Sequence, residues 1–290
     1  MTDDPFVAHR SLLFTVAYEM LGSAADAEDV VQETWLRWDA VDQSEVLDPR
    51  AYLVRTVTRQ ALNRLRTLSR LREEYIGEWL PEPLLTSPDV ADDVEFAESV
   101  SLAMLTVLET LRPSERVVFV LHEVFAEPYD EIAVALGKSA AAVRQIGHRA
   151  REHVAARRPR AQVSVAEQRE VAERFMTAVA GGDLEGLLEV LAPDVVLVAD
   201  GGGLKAAVRH PLQGADRIVA FFAGVATRIP ETITSSLVWV NGAPAVRLDL
   251  DGEADTLMSF VVEDGRVTRI FGVRNPHKLA RLAQETPLVR

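Results

Sequence analysis

Three dipeptides near the C-terminus, Asn241-Gly242, Asp251-Gly252 and Asp264-Gly265, constrain this chain more than any other feature. Each pairs a residue that tolerates positive φ with glycine, the chemistry of the tight turn matching the twist of two antiparallel strands. They separate four β-rich runs, Ile233–Val240, Ala245–Leu250, Thr256–Val262 and Val267–Val273. An earlier run, Val195–Ala199, reads as a further strand, and Ala215–Ala226 as a helix between it and the rest. Upstream, Val171, Ala172, Phe175, Met176 and Val179 form one face of a helix over 166–180, and Asp183 caps a short helix at Leu184–Leu191. Helices followed by a curved antiparallel sheet predict an α+β domain enclosing one hydrophobic pocket.

The first 160 residues carry no such turns and read as helices. Apolar residues Phe6, Leu12, Leu13, Val16, Ala17, Met20 and Leu21 mark a helix over 5–21 that Gly22 closes. Ser23 and Asp26 open a second, about Ala24 to Ala40. Its side with Asp26, Glu28, Asp29, Gln32 and Glu33 is acidic and polar, which by itself indicates a solvated face; Trp35 and Trp38 are assigned to the core. After a polar loop from Val41 to Pro49, a long helix runs from Arg50 to about Arg72, and further helices span Glu98 to Leu111 and start at Pro113. Glu127 to Val154 reads as helix, turn, helix. Gly137 ends the first, Ser139 caps the second, and Val143, Ile146, Gly147, Ala150 and Val154 face inward. The outer face shows Arg144, Gln145, His148, Arg149 and Arg151, side chains suited to base edges and phosphates in a major groove. An ordinary helical hairpin with a solvated face is the plain alternative.

Charge is unevenly distributed. Between Pro49 and Arg72 lie seven arginines, Arg50, Arg55, Arg59, Arg64, Arg66, Arg70 and Arg72, and no acid; from Glu73 to Glu98 lie nine acids and no base. A helix this basic could bind nucleic acid, an acidic protein or an anionic surface. It lacks a broad insertion face, so a membrane is the weakest of the three. The net charge of −13 argues against coating nucleic acid through overall charge, so DNA contact must come from local patches helped by a partner. No apolar run approaches the ~20 residues of a membrane span. The acidic start MTDDPFVAHR lacks a signal-peptide pattern, and the absence of cysteine fits a reducing cytoplasm. No cofactor or metal is expected.

Residues 73–97 contain YIGEWLPEPLLTSPDVADD, whose prolines and acids mark a linker. Tyr75, Ile76, Trp79, Leu80 and Leu84 are apolar enough to need cover, either from their own neighbouring helix or from another surface.

On these residues the first 160 positions resemble the bacterial σ70-type sigma factors of the extracytoplasmic-function (ECF) group. GSAADAEDVVQETWLRW is similar to the segment that binds the RNA polymerase β′ coiled coil. DPRAYLVRTVTRQALNRLRTLSRLRE is similar to the segment that opens and reads the −10 element, and LRPSERVVFVLHEVFAEPYDEIAVALGKSAAAVRQIGHRARE to the −35 reader. The last 130 residues resemble the SnoaL-like branch of the cone-shaped NTF2-like fold. WLPEP at Trp79–Pro83, the stretch Asp200-Gly201-Gly202-Gly203 and NPHKL at Asn275–Leu279 narrow the match to sigma factors with a fused SnoaL-like domain; Leu204 intervenes before the basic residue Lys205.

The resemblance implies region 2 over 5–72, the acidic linker over 73–97, region 4 over 98–160 and a regulatory SnoaL-like domain over 161–290. It implies RNA polymerase core (β′ and β) and promoter DNA as partners. Asp26, Glu28, Asp29, Gln32 and Glu33 would meet the polymerase. Arg50, Arg55, Arg59, Arg64 and Arg66 would hold the −10 strand, and the Val41–Pro49 loop would take a flipped base. Arg144, Gln145, His148 and Arg149 would read the −35 element, with Lys138 and Arg151 on phosphates. Trp79, Leu80 and Pro81 would meet Asp200, Gly201, Gly202, Gly203, Lys205, Asn275 and Pro276 in a contact that regulates the two readers, with a small molecule in the pocket as a candidate signal. The competing expectation for this domain is a small-molecule-binding or cyclase-like enzyme using Asp200, Lys205, His210 and Arg274; a histidine beside Pro211 is more often structural, and non-enzymatic regulation is the preferred reading.

Overall fold

A computed structural model describes residues 4–72, 74–158, 163–227 and 232–290. Among these the chain divides into two compact units. One takes in the residues up to Glu74, then Met104–Arg158 and Pro287–Arg290; the other takes in Tyr75–Ala103 and the residues from 163 to Thr286. Each is described by itself. No helix among the described residues is long and apolar enough to cross a membrane.

The first unit is helical. Its helices are α1 (Pro5–Leu21), α2 (Ala24–Asp39) and α3 (Pro49–Arg72), joined by α5 (Leu102–Glu109, from Met104 on), α6 (Pro113–Phe119), α7 (Tyr129–Leu136) and α8 (Ala140–Ala155). Local chemistry sets their ends. The Asp4 carboxylate accepts the Phe6 amide, Gly22 closes α1 at φ 65°, and Ser23 accepts the Asp26 amide. Leu13, Val16, Leu53, Val57 and Ala61 are wholly buried. Trp38 is buried and its indole donates to Asp4 at 3.2 Å. Trp35 departs from its core assignment: it is 41% exposed, one side of α2 being already filled by Ala27, Val31, Thr34 and Trp38.

In the helix-turn-helix, Gly137 takes φ 62° and Ser139 caps α8 by accepting the Ala142 amide. Val143, Ile146, Gly147, Ala150 and Val154 are buried, the face read from the sequence. Gly147 is needed for packing rather than for backbone freedom, because a Cβ there would lie 3.0 Å from the Tyr129 hydroxyl. The helix preceding α7 ends in a π-helical turn, Val120–Val124, and Ala126 follows at φ 53°; neither is signalled by the sequence pattern.

The second unit contains α4 (Val94–Val100), α9 (Val165–Gly181), α10 (Leu184–Val190), α11 (Ala215–Ala226) and α12 (Pro276–Leu279), with a six-stranded sheet ordered β2-β1-β6-β5-β4-β3. The strands are β1 (Leu191–Asp200), β2 (Leu212–Gln213), β3 (Ile233–Val240), β4 (Ala243–Leu250), β5 (Glu253–Glu263) and β6 (Arg266–Val273). The three dipeptide turns are as expected, with Asn241, Asp251 and Asp264 at φ 51–53° and glycines following at φ 71–84°. The sheet is mixed rather than antiparallel: β1 runs parallel to β6, Asp200 opposite Val273. The chain between these strands is long enough for the crossover a parallel pair needs, and no turn dipeptide announces such a pairing. The short β2 is also additional to the expected strands.

The acidic stretch is more ordered than its prolines indicate. A 3₁₀ turn spans Pro88–Asp92 and α4 begins at Val94, so the helix expected from Glu98 starts earlier and breaks at Ser101. Leu80 is buried with Val240, Leu257, Phe271, Val273 and Leu279 on one face of the sheet; Phe175, Ile218, Phe222, Met258 and Ile270 fill the other.

Candidate functional site: linker clamp, cavity and arginine helix

Asp200 ends β1 and is 0% exposed. A buried carboxylate must be paired and fully hydrogen-bonded to be tolerated, and this one is. Its oxygens accept from the Tyr75 hydroxyl at 2.7 Å, the Leu80 amide at 3.0 Å, the Gly202 amide at 2.9 Å and Lys278 Nζ at 2.6 Å. Lys278 Nζ also donates to the Leu80 carbonyl and lies 4.1 Å from the centre of the Trp79 ring. Burial pushes the Tyr75 phenol up, and its hydrogen bond to Asp200 adds to the shift, so it remains a donor. Asn275 caps α12 by accepting the His277 amide and donates to the Tyr75 oxygen at 2.9 Å.

The glycines explain themselves here. A Cβ on Gly202, at φ 60°, would sit 2.4 Å from the Asn275 amide nitrogen, and one on Gly201 would sit 2.2 Å from the Lys205 carbonyl. Gly203 lies against Ile76. Of the expected contact set, Leu80 and Gly202 meet Asp200, Gly202 lies against Asn275, and Trp79 joins them through Lys278; Pro81 is buried beside Leu80, and Pro276 opens α12. Lys205 turns elsewhere.

A second hold lies further along the linker. Asn241, buried in the β3–β4 turn, accepts the Leu84 amide at 2.9 Å and donates to the Val100 carbonyl at 2.8 Å. The Thr86 amide donates to the Trp239 carbonyl and the Thr286 amide to the Leu85 carbonyl. Tyr75, Lys278 and Asn241 were not singled out from the sequence as site residues. Lys278 lies inside the NPHKL motif, and the sequence marks Asn241 only as a turn residue.

Beside the clamp is a cavity of about 430 Å³ with walls that include Leu197, Phe221, Phe222, Leu248 and Met258. Its polar end is Asp255, which receives Lys205 Nζ at 3.0 Å and Arg274 Nη2 at 2.8 Å. Burial pushes the Asp255 carboxyl up, but bonds from Thr256, Arg274 and Lys205 outweigh it and hold it below the usual carboxylate range. The four candidates for acid–base chemistry are therefore separated. Lys205 and Arg274 meet on Asp255, Asp200 is enclosed by the linker, and exposed His210 is not among the cavity-lining residues.

In the helical unit the proposed readers are already engaged with one another. Arg50 pairs with Glu127 at 2.9 Å, and Arg59 donates from Nε and Nη2 to the last carbonyls of α7, Ala135 and Val134, at 3.0 and 2.9 Å. Arg64 donates to Asp26 at 2.6 Å, Gln60 to Glu33 at 2.7 Å, and Arg10 to Glu28 at 2.6 Å. Arg116, 1% exposed, donates to the Glu19 carbonyl from two nitrogens, and Glu109 bridges Arg72 and Arg116. Arg66, Asp29 and Gln32 are exposed and Arg55 is half-buried. On α8, Arg144, Gln145, His148 and Arg149 are exposed, as is Lys138 before it. His148 lies 3.6 Å from Glu152 and Arg149 lies 3.5 Å from Glu115. Arg151 turns onto its own unit, donating to Glu123 at 2.9 Å and to the Tyr129 hydroxyl at 2.6 Å.

Two groups of helices, the second ending in a helix-turn-helix with a basic outer face, followed by an α+β cone, define a σ70-type factor carrying a C-terminal extension. The family comparisons agree: Sigma-70 region 2 matches residues 6–71, Sigma-70 region 4 matches 101–154, and the SnoaL-like domain matches 172–275. The chain belongs to the ECF RNA polymerase sigma factors. It is 40% identical over 288 residues to ECF RNA polymerase sigma factor SigJ of Mycobacterium tuberculosis, covering 94% of this chain and 91% of that one. It is 35% identical over 281 residues to the probable ECF RNA polymerase sigma factor SigI of the same species, covering 96% and 94%. The crystal structure of M. tuberculosis SigJ superposes with a TM-score of 0.77 at 37% identity, covering 98% of this chain and 99% of that one.

Proposed function

We propose that this chain directs RNA polymerase core to promoters and that its C-terminal domain regulates it by holding the linker between the two promoter readers. The carrying observation is the hold on Asp200. One buried carboxylate accepts from the linker's Tyr75 and Leu80, and Lys278 closes over both the carboxylate and the Leu80 carbonyl. While docked, residues 75–86 cannot extend, so the reach between the region 2 and region 4 helices is limited. Promoter elements read at two separate places require that reach.

The roles assigned to individual side chains follow the same logic. Exposed Arg144, Gln145, His148 and Arg149 meet the −35 element, with Lys138 on phosphate, while Arg151 braces α8 rather than reaching outward. Arg50 and Arg59 are held by Glu127 and by the end of α7, so they meet the −10 strand only after region 4 leaves α3, whereas Arg64 is held within region 2 by Asp26 and must exchange that carboxylate for a phosphate. Asp29, Gln32 and Glu33, with exposed Trp35 beside them, meet the polymerase.

The test is promoter-specific transcription by the full chain with core polymerase, comparing wild type with Asp200→Asn and Trp79→Ala. Altered output from both variants supports the reading; unchanged output from both defeats it. Point variants are cleaner than truncation at residue 160, which would uncover Leu80 and Leu84.

A further inference from the structure

We infer that the cavity of the C-terminal unit binds an apolar monoanion, an acid with a carboxylate head and a hydrocarbon body, and that Arg274 receives the head, with Lys205 adding positive charge through their shared partner Asp255. The inference rests on the regulatory reading above only in assigning the ligand a consequence; the site itself stands on its own geometry.

The pocket of about 430 Å³ opens to solvent and is lined mainly by apolar side chains, and its volume lies in the range of small-molecule sites. The walls suit a hydrocarbon body. The polar end has a definite charge: two cations, Lys205 and Arg274, share one carboxylate, Asp255, which leaves one positive charge uncompensated within the cluster. The cluster also holds an unmet donor. Arg274 gives Nη1 to the Ala206 carbonyl and Nη2 to Asp255, but its Nε is buried with no hydrogen-bond partner. A buried guanidinium N–H without an acceptor is costly, and a shift of the partly exposed Arg274 side chain that turns Nε to the cavity would let one carboxylate oxygen from a ligand satisfy it.

The same backbone carries the head-group site and the linker clamp. The amides of Arg274 and Asn275 both donate to the Asp200 carbonyl, at 2.7 and 3.0 Å, and the Lys205 amide donates to the Gly201 carbonyl at 3.0 Å. Any movement of Arg274 or Lys205 toward a ligand is transmitted within one or two residues to Asp200, Gly202 and Asn275. A ligand acts only through differential affinity for the docked and undocked linker. Because the cluster is assembled on the docked backbone, the acid favours docking.

Calorimetric titration of the full chain with laurate, below its micelle concentration, tests the site, with methyl laurate as the uncharged control. Laurate should bind once per chain and at least about tenfold tighter than the ester, roughly the effect of one charge-assisted hydrogen bond. Arg274→Gln and, on a half-exposed side chain, Lys205→Gln should each weaken laurate and leave the ester unchanged; Ala207→Trp, which fills the cavity, should abolish both. Equal binding of acid and ester, indifference to both charge variants, or laurate binding that survives Ala207→Trp would overturn the inference. Absence of laurate binding while Asp200→Asn still alters transcription would overturn the site and leave the regulation standing. Laurate binding with the expected variant pattern but no effect on transcription would support the site and count against the regulation.

Discussion

Lys278 Nζ lies 2.6 Å from Asp200, and both side chains are buried where the linker crosses the end of the sheet. Removing one member of a buried, hydrogen-bonded pair costs about 3–5 kcal/mol, because the other charge stays behind without compensation. Lys278→Met should therefore destabilise the C-terminal unit strongly. The double variant with Asp200→Asn should lose less than the sum of the two single variants, since the orphaned carboxylate is gone. Denaturant unfolding of the four chains checks this, and additive losses would mean the pair is not coupled.

Asn241 tests the second hold. Its side chain serves the Leu84 amide of the linker and the Val100 carbonyl at the end of α4. Asn241→Gly keeps a backbone suited to φ 53° and removes both bonds. The expected loss is about 1–3 kcal/mol for the buried groups left unpaired. Hydrogen exchange should accelerate at Leu84 more than at the sheet amides of β5 and β6.

Gly202 tests the close approach beneath Asn275. Gly202→Ala places a methyl 2.4 Å from the Asn275 amide nitrogen on a backbone at φ 60°. Either Asn275 gives up its bond to Tyr75 or the turn shifts. Protease cleavage between Tyr75 and Leu84 should rise severalfold, and Gly224→Ala, where a Cβ meets nothing within 4 Å, should leave it unchanged.

Acid sensitivity should separate Asp255 from ordinary carboxylates. Its folded value lies below the usual range, so its pairing stabilises the fold fully above about pH 4, the ordinary aspartate value, and is lost as pH falls through the lower folded value. The difference in thermal midpoint between wild type and Asp255→Asn should be constant from neutral pH to about pH 4 and shrink below it.

In the helical unit, Glu127→Ala releases Arg50 without touching a DNA-contact candidate. Arg50 is 44% exposed and Glu127 13%, so solvent screens the pair in part; the equilibrium cost is about 1 kcal/mol and falls with salt. Exchange at α7 amides should rise modestly in low salt and converge with wild type at high salt.

Chain order alone determined most of the helices, the helix-turn-helix face and the three hairpins, because each depends on groups a few residues apart: a cap, a left-handed glycine, an Asn-Gly or Asp-Gly turn. The likeness of WLPEP, DGGG and NPHKL to a fused-domain subgroup also placed Asp200 and Trp79 in one expectation. Tertiary structure decided the rest. The parallel pairing of β1 with β6 joins strands far apart in sequence with no local signal. Asn241, a turn residue by its own chemistry, became a linker contact only because Leu84 and Val100 pack beside it. Trp35 stayed outside because the core had no space for a second indole on that side of α2. Arg59 and Arg64, indistinguishable from Arg66 by residue type, differ because α7 and Asp26 happen to face them. Burial and the nearest opposite group depend on contacts between distant segments, and those contacts hold a proline-rich acidic tether against the C-terminal unit at Asp200 and Asn241.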